Sequence, residues 1–381
     1  MSQPVRFGLV GCGNIGNVHA QALQSLQEAE LVAVCDIDRQ RADQFAEEFG
    51  LEHAYGSTEE LLEGVDVDAV SVTTDHKHHH APTMAAIDAG VAAIVEKPIT
   101  ASLVEGEELV RAAEDKGVLL GGIFQRRFFP AALRMHEAIE QGRLGRVTLA
   151  ECIAHLGRDE AYFARDSWRG TWKGEGGGAL TNQAVHMIDM LLWMVGDPVE
   201  VYGRWGRLMH GDYIDVEDTA VAVVKFDNGA LATIQASTTF QRAQLLPDRI
   251  TPVSEVEREA PGFRLAVHGT SGHTVGMLEC PELTQAITDQ RTFPGEAEQV
   301  KAWHAEESNK PGFPGFHSHQ LRDFAIAVAE GRQPLVTGRQ SVTALEVIKA
   351  IYLSEKTGQP VKLPMNAQIR EQADKLTEGS D

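Results

Sequence analysis

Short, largely apolar runs alternate with amphipathic stretches through the first third of the chain, and this succession constrains the fold more than any other feature. The runs are residues 5–10, 31–35, 69–73, 92–95 and 118–123; between them, residues 18–26, 40–49, 82–89 and 103–115 carry apolar side chains at helical spacing. Runs that are continuous rather than alternating in apolar character suit strands buried on both faces, as parallel strands are. Strand and helix in strict succession then build βαβ units with right-handed crossovers, giving a doubly wound α/β sheet. The pattern places the end of this domain at residue 124.

Beyond it the rhythm changes. A helix over 130–141 precedes a strand-like stretch at 147–155 and a loop rich in Gly, Trp and Arg over 157–178. A helix over 182–195 stops at Gly196-Asp197-Pro198, a natural terminator. Residues 199–208, 219–226, 230–237 and 264–268 read as antiparallel strands, with Asp227-Asn228-Gly229 as a hairpin turn. Residues 240–262 and 279–315 show no period and read as loops, while helices over 317–330 and 341–355 and an apolar end at 361–363 close the chain. The second domain is therefore assigned to residues 125–381. A length of 381 residues suits two domains.

The net charge of -21 repels nucleic acid and anionic membranes over most of the surface, though a local basic cluster in a cleft can overrule it. No apolar run approaches the roughly 18 residues of a membrane span. The N-terminus lacks the basic start and apolar core of a secretory signal, so a cytoplasmic protein is expected. Cys12, Cys35, Cys152 and Cys280 form no paired motif, which suggests neither a disulfide framework nor a zinc ribbon.

Gly11-Cys12-Gly13-Asn14-Ile15-Gly16 follows the first strand and opens the first helix, the setting a dinucleotide fingerprint requires. Gly11 permits the tight turn, Gly13 lets backbone approach a pyrophosphate, and Gly16 lets the helix pack on the strand. The helix N-terminus receives the negative charge. Asp36, twenty residues past Gly16, is placed to accept from the ribose hydroxyls of adenosine. A 2′-phosphate there would meet a like charge, so NAD is expected rather than NADP; Arg39 and Arg41 lie close enough in sequence to relax that choice.

With these residues in view, the chain resembles the glucose–fructose oxidoreductase / inositol dehydrogenase (Gfo/Idh/MocA) family nearly end to end. The likeness runs through the fingerprint, then Thr74-Asp75-His76-Lys77-His78-His79, Glu96-Lys97-Pro98, Gln125-Arg126-Arg127-Phe128-Phe129-Pro130 and Trp168-Arg169. It continues through Gly176-Gly177-Gly178-Ala179-Leu180-Thr181-Asn182-Gln183-Ala184-Val185-His186, Asp189 and Val361-Lys362-Leu363-Pro364. The resemblance implies a Rossmann domain plus an α/β domain with a large, mostly antiparallel open sheet. That sheet would join subunits into a homodimer or homotetramer, and a sugar or polyol would sit between the domains. It implies cofactor contacts from Gly11, Gly13, Asn14, Ile15, Gly16, Asp36, Arg41, Thr73, Thr74, His76, His79, Glu96, Lys97, Gln125, Trp168 and Arg169.

Lys97 matches the family's catalytic lysine, and an ammonium beside a reacting hydroxyl stabilises a developing alkoxide. The family's Lys–Pro bond is often cis; sequence alone favours trans. His186 matches the catalytic histidine, whose ordinary pKa suits taking an alcohol proton. Residues 182, 186, 189 and 193 would share one helical stripe, so that Asn182 and Asp189 flank His186. Asn182 departs from the aspartate common there: an amide is no base, but it hydrogen-bonds substrate hydroxyls or caps the helix. Some relatives acting on nucleotide-linked amino sugars or uronates have Asn-Gln at this place. Asp75-His76 stands where the family commonly has Pro-Asn. The run His76, His78, His79, His80 invites a metal reading, but successive histidines point apart and no metal is assigned. Trp168, Arg169, Trp172 and Lys173 suit sugar stacking and anion binding, or packing of the loop on its own domain. Arg127, Tyr162, Phe163 and His317 are further pocket candidates.

The expectation is an NAD-dependent oxidoreductase acting on a secondary CH–OH carbon of a sugar, inositol or derivative. The rivals are an NAD-dependent glycoside hydrolase working through a transient keto sugar, and a non-catalytic dinucleotide-binding sensor.

Overall fold

The computed structural model describes residues 3–240, 262–279, 287–305 and 315–377. It divides into two compact units, residues 1–125 with 312–345, and residues 126–311 with 346–381.

The first unit holds a sheet in the order β3-β2-β1-β4-β5-β6, with every neighbouring pair parallel. Its strands are β1 (Val5–Val10), β2 (Ala29–Cys35), β3 (His53–Tyr55), β4 (Ala69–Val72), β5 (Ala92–Val95) and β6 (Leu120–Gly122). β4 and β5 are buried along their whole length, as their largely apolar, non-alternating sequences suggest. The helices Asn14–Gln24, Arg39–Phe49, His80–Asp88 and Leu103–Lys116 fall on the amphipathic stretches. β3 and the helix Thr58–Gly64 are too short to leave a period in the sequence.

The segment 312–345, assigned above to the second domain, packs with the first unit instead. The helix His317–Glu330 turns Leu321, Phe324 and Ala325 into the core around β1, where the Phe324 and Phe7 rings lie 6.4 Å apart. Gln320 grips the end of β6, accepting from Phe124 N at 2.9 Å and donating to the Gly122 carbonyl at 2.7 Å. Core completion by a sequence-distant helix leaves no local signal.

The second unit carries an eight-stranded sheet in the order β13-β12-β11-β7-β10-β9-β8-β14. Its strands are β7 (Val147–His155), β8 (Pro198–Gly206), β9 (Thr219–Phe226), β10 (Leu231–Ser237), β11 (Phe263–Gly269), β12 (Thr274–Glu279), β13 (Ile287–Arg291) and β14 (Val361–Lys362). Only β7 with β10 runs parallel; the other neighbours are antiparallel. The helices Pro130–Glu140 and Val185–Val195 cover one face. Along β9, Ala220, Ala222, Val224 and Phe226 point inward while Val221 and Val223 are exposed on the other face.

Two loop assignments change. Within 279–315 the structure has β13 and the helix Ala297–Ala305. Asp289 on β13 is buried and takes a bidentate pair from Arg134 at 3.1 and 2.6 Å, so polar residues face inward and hide the strand's apolar pattern. The loop over 157–178 contains two short helices, Glu160–Phe163 and Trp172–Glu175. Of the expected loop at 240–262, residues 241–261 lie outside the described residues, as does Cys280.

Candidate active site

In the first unit the glycine turn is built as the fingerprint demands. Gly11 has φ +98°, where a side chain is strained, and a Cβ there would press on the backbone of Thr73 and Thr74. A Cβ on Gly16 would run into the Gly11 carbonyl oxygen, which is how closely the helix sits on the strand. Gly13 is the opposite case: nothing lies within 4 Å of its would-be Cβ. That open approach to exposed backbone at a helix N-terminus, flanked by Asn14 and Ile15, fits a pyrophosphate.

Asp36, buried at the end of β2, accepts from Cys12 N and Asp38 N, both at 2.9 Å. Carboxylate oxygens have further lone pairs for ribose hydroxyls. Arg41 reaches within 3.7 Å of both Asp36 and Asp38, so its charge is already shared by two carboxylates. Thr73 donates its hydroxyl to the Gly11 carbonyl at 2.7 Å, and Thr74 donates to the His78 carbonyl at 2.9 Å; both fix the turn's shape.

Lys97 follows β5, and its backbone N–H is held by the Glu96 carboxylate at 2.9 Å. The other Glu96 oxygen meets His19 Nε2 at 3.1 Å and His317 Nε2 at 3.7 Å, while His19 Nδ1 contacts Ser71 Oγ at 2.7 Å. Burial alone would raise the Glu96 pKa, but the His19 hydrogen bond and the charges of His19, His317 and Lys97 hold it down to about 2. Glu96 thus anchors the backbone of Lys97. Lys97–Pro98 is cis, against the trans default, and the Pro98 carbonyl lies 2.8 Å from His79 Nδ1. His79 Nε2 reaches the Thr74 carbonyl at 3.1 Å, so one buried ring joins the two turns, and burial pushes its pKa down. Gln125 Oε1 is buried with no hydrogen-bond partner among the described residues, leaving an acceptor for an incoming donor.

The histidine run separates as expected. His76 and His79 are buried, His78 pairs with Asp75 at 2.5 Å, and His80 reaches Glu108 at 3.1 Å. Among the described residues, the one group that brings ligand-type atoms of three side chains within 4.8 Å of each other is His19, Glu96 and His317. Sequence reasoning passes over His19, three residues beyond Gly16 on the inward side of the helix.

In the second unit, residues 179–184 wind as a π-helix before the α-helix Val185–Val195 begins. Asn182 lies in the wide turn and His186, 6% exposed, in the first α-turn, so the regular stripe from 182 to 193 is interrupted. Asp189 does not serve His186. It is buried and receives a bidentate pair from Arg127 at 2.8 and 2.6 Å. Arg127, a pocket candidate above, is 1% exposed and sits over the Trp193 ring, so it is a core ion pair.

Asn182 Nδ2 donates to Glu175 Oε1 and to Tyr162 Oη, the latter at 3.3 Å. Gln183 Nε2 and Arg169 Nη1 donate to the same hydroxyl at 3.1 and 2.9 Å, and Arg169 Nε pairs with Asp166 at 2.7 Å. Arg169 also lies over the Trp168 ring at 4.5 Å, and Arg158 lies over the Tyr162 ring at 4.8 Å. This polar cluster can bind oxygen-rich groups. Trp172 sits edge-on to Trp205 and Tyr352 beside the cluster of Phe163, Ile214 and Val216, so Trp172 and Phe163 pack within their own unit. Behind the π-turn, Glu217 accepts from Gly178 N and Leu180 N, both at 2.8 Å, and from Tyr352 Oη at 3.0 Å. Burial nonetheless raises it to about 7.

A family model described as an oxidoreductase family, NAD-binding Rossmann fold, matches residues 5–123; another, for an oxidoreductase family C-terminal alpha/beta domain, matches residues 136–363. The chain is 28% identical over 363 residues to the myo-inositol 2-dehydrogenase of Thermotoga maritima, covering 94% of this chain and 98% of that protein. It is 25% identical over 370 residues to the D-apiose dehydrogenase of Paraburkholderia graminis, covering 93% and 88%. Among solved structures it matches the WlbA dehydrogenase from Bordetella pertussis in complex with NADH and UDP-GlcNAcA. That match has a TM-score of 0.80 at 26% identity and covers 96% of this chain and 99% of the other.

Proposed function

The chain belongs to the Gfo/Idh/MocA family of NAD-binding oxidoreductases, and from that premise we propose that it interconverts a secondary alcohol and a ketone on a sugar-like ring. His186 is its acid–base group, Lys97 stabilises charge on the reacting oxygen, and Asn182 binds a substrate hydroxyl. The chemistry NAD supplies when bound is the acceptance or donation of hydride at its nicotinamide. The glycine turn, Asp36 and Gln125 would hold the cofactor.

His186 takes the hydroxyl proton on its ring as the carbinol is oxidised and returns it in reduction, a role typically worth ~10²–10⁴ in rate. The Lys97 ammonium stabilises charge on the same oxygen. One observation carries this reading: Lys97 leaves the carboxyl end of β5, where ligands bind in doubly wound sheets, with its backbone clamped by a Glu96 held ionised. The polar cluster of Tyr162, Asn182, Gln183 and Arg158 supports a polyhydroxylated substrate. The match to a dehydrogenase solved with a nucleotide-linked uronate favours sugars of that kind.

No helix among the described residues is long and apolar enough to cross a membrane. A cytoplasmic homodimer or homotetramer joined through the open sheet face completes the proposal, supported by exposed Leu149, Val221, Val223 and Leu231. The test is a panel of inositols, aldoses, uronates and nucleotide sugars read by NADH fluorescence. Turnover with net NADH formation on at least one ring substrate is expected. Cofactor retained with no net NADH, or no redox chemistry at all, would contradict it.

A further inference from the structure

The first amides of a helix have no partner within it and are satisfied from outside. At the π-turn, Gly178 stands at the N-cap and has no side chain to do this. One residue from a distant segment takes three successive amides instead. Glu217 accepts from Gly178 N through Oε2 at 2.8 Å, from Ala179 N through its backbone carbonyl at 3.1 Å, and from Leu180 N through Oε1 at 2.8 Å. The segment that carries Glu217 is itself held: Asp218 accepts from Leu208 N, Met209 N and His210 N at 3.0, 2.7 and 2.9 Å. Tyr352, on the helix Gly338–Thr357, donates to Glu217 Oε1 at 3.0 Å and lies 3.0 Å from Thr181 Oγ1. Two glycines permit this close approach. A Cβ on Gly178 would strike the Glu217 carbonyl, and one on Gly177, whose φ is +151°, would strike Thr181 and Tyr352.

We infer that Glu217 is a positioning residue: by capping three amides of the π-turn it fixes where the turn carries Asn182 and where the helix bearing His186 begins. This rests on the reading above in which those two side chains meet substrate. Asn182 N closes the turn on the Gly178 carbonyl at 3.0 Å, so a shift of the capped end passes directly to residue 182. Single π-turns in proteins occur frequently at functional sites. Holding a carboxyl group here is costly, since burial raises its pKa to about 7 in spite of its donors. The group nevertheless suits the task. A carboxyl keeps both oxygens as acceptors whether or not it carries a proton, whereas an amide offers one oxygen only.

Glu217→Gln therefore keeps the shape and removes one acceptor, while Tyr352→Phe removes the hydroxyl that steadies Oε1. Each variant is followed in three ways: amide hydrogen exchange by mass spectrometry, NADH affinity, and kcat and KM on whichever ring substrate the panel identifies. In Glu217→Gln a peptide covering 178–184 should exchange about tenfold faster, while peptides from β9 and β10 keep wild-type rates. Its kcat/KM should fall about tenfold with NADH affinity unchanged. Tyr352→Phe should move both readouts in the same direction by less, and it carries the test if Glu217→Gln does not fold. A merely structural role would lower Tm and leave kcat and KM at wild-type values. That result overturns the inference, and so does wild-type exchange at 178–184. If wild type turns over no substrate, the parent reading fails on the panel, and the exchange rates still decide whether Glu217 holds the turn.

Discussion

Asp36 shows how one side chain can carry a specificity. Its two oxygens hold Cys12 N and Asp38 N, which fixes the carboxylate beside the glycine turn, and Arg41 lies 3.7 Å away without displacing either bond. A 2′-phosphate brought there would meet a fixed negative charge, whereas ribose hydroxyls would donate to it. Titration by fluorescence should therefore give a lower Kd for NADH than for NADPH; the reverse order would mean that Arg41 prevails. At this scale the sequence named Lys97, His186 and Asn182 because their motifs are local. Whether an Arg or Trp meets substrate or core depends on distant partners, here Asp189 for Arg127 and Tyr352 for Trp172, 62 and 180 residues away, which no local motif reveals. Glu175 escaped notice because a single Glu before three glycines has no pattern of its own.

The glycine turn shows that identical residues in one element can have separable duties. Alanine at Gly13 would occupy space open in the protein, so Gly13→Ala should keep the wild-type Tm and weaken NADH binding at least about tenfold. Alanine at Gly16 would collide with the Gly11 carbonyl, so Gly16→Ala should lower Tm as well. Equal effects of the two on Tm and Kd would contradict this division. Elements with regular periods, β1, β4, β5 and the strands from β7 to β10, were legible in the sequence. Those organised by buried polar pairs were not. β13 is masked by Asp289, and the π-turn at 179–184 is set by Glu217 accepting from Gly178 and Leu180, a contact no local period reveals.

At the scale of the molecule, the chain returns to its first unit through residues 312–345, bringing His317 beside Glu96. The surroundings of Glu96 are therefore completed by a residue far along the sequence. The second unit leaves one sheet face with exposed Val221 and Val223. If that face joins subunits, Val223→Asp should shift the molar mass measured by light scattering toward that of a single chain; an unchanged mass would place the interface elsewhere.

All of this depends on an ammonium and an imidazole acting on one carbinol oxygen, and the steady-state kinetics of Lys97→Ala and His186→Ala test that most directly. Each should lower kcat at least about a hundredfold while NADH affinity stays near wild type. Near-wild-type turnover in either variant would remove that residue from the chemistry, and loss of NADH affinity equal to the loss of rate would make it a cofactor ligand instead.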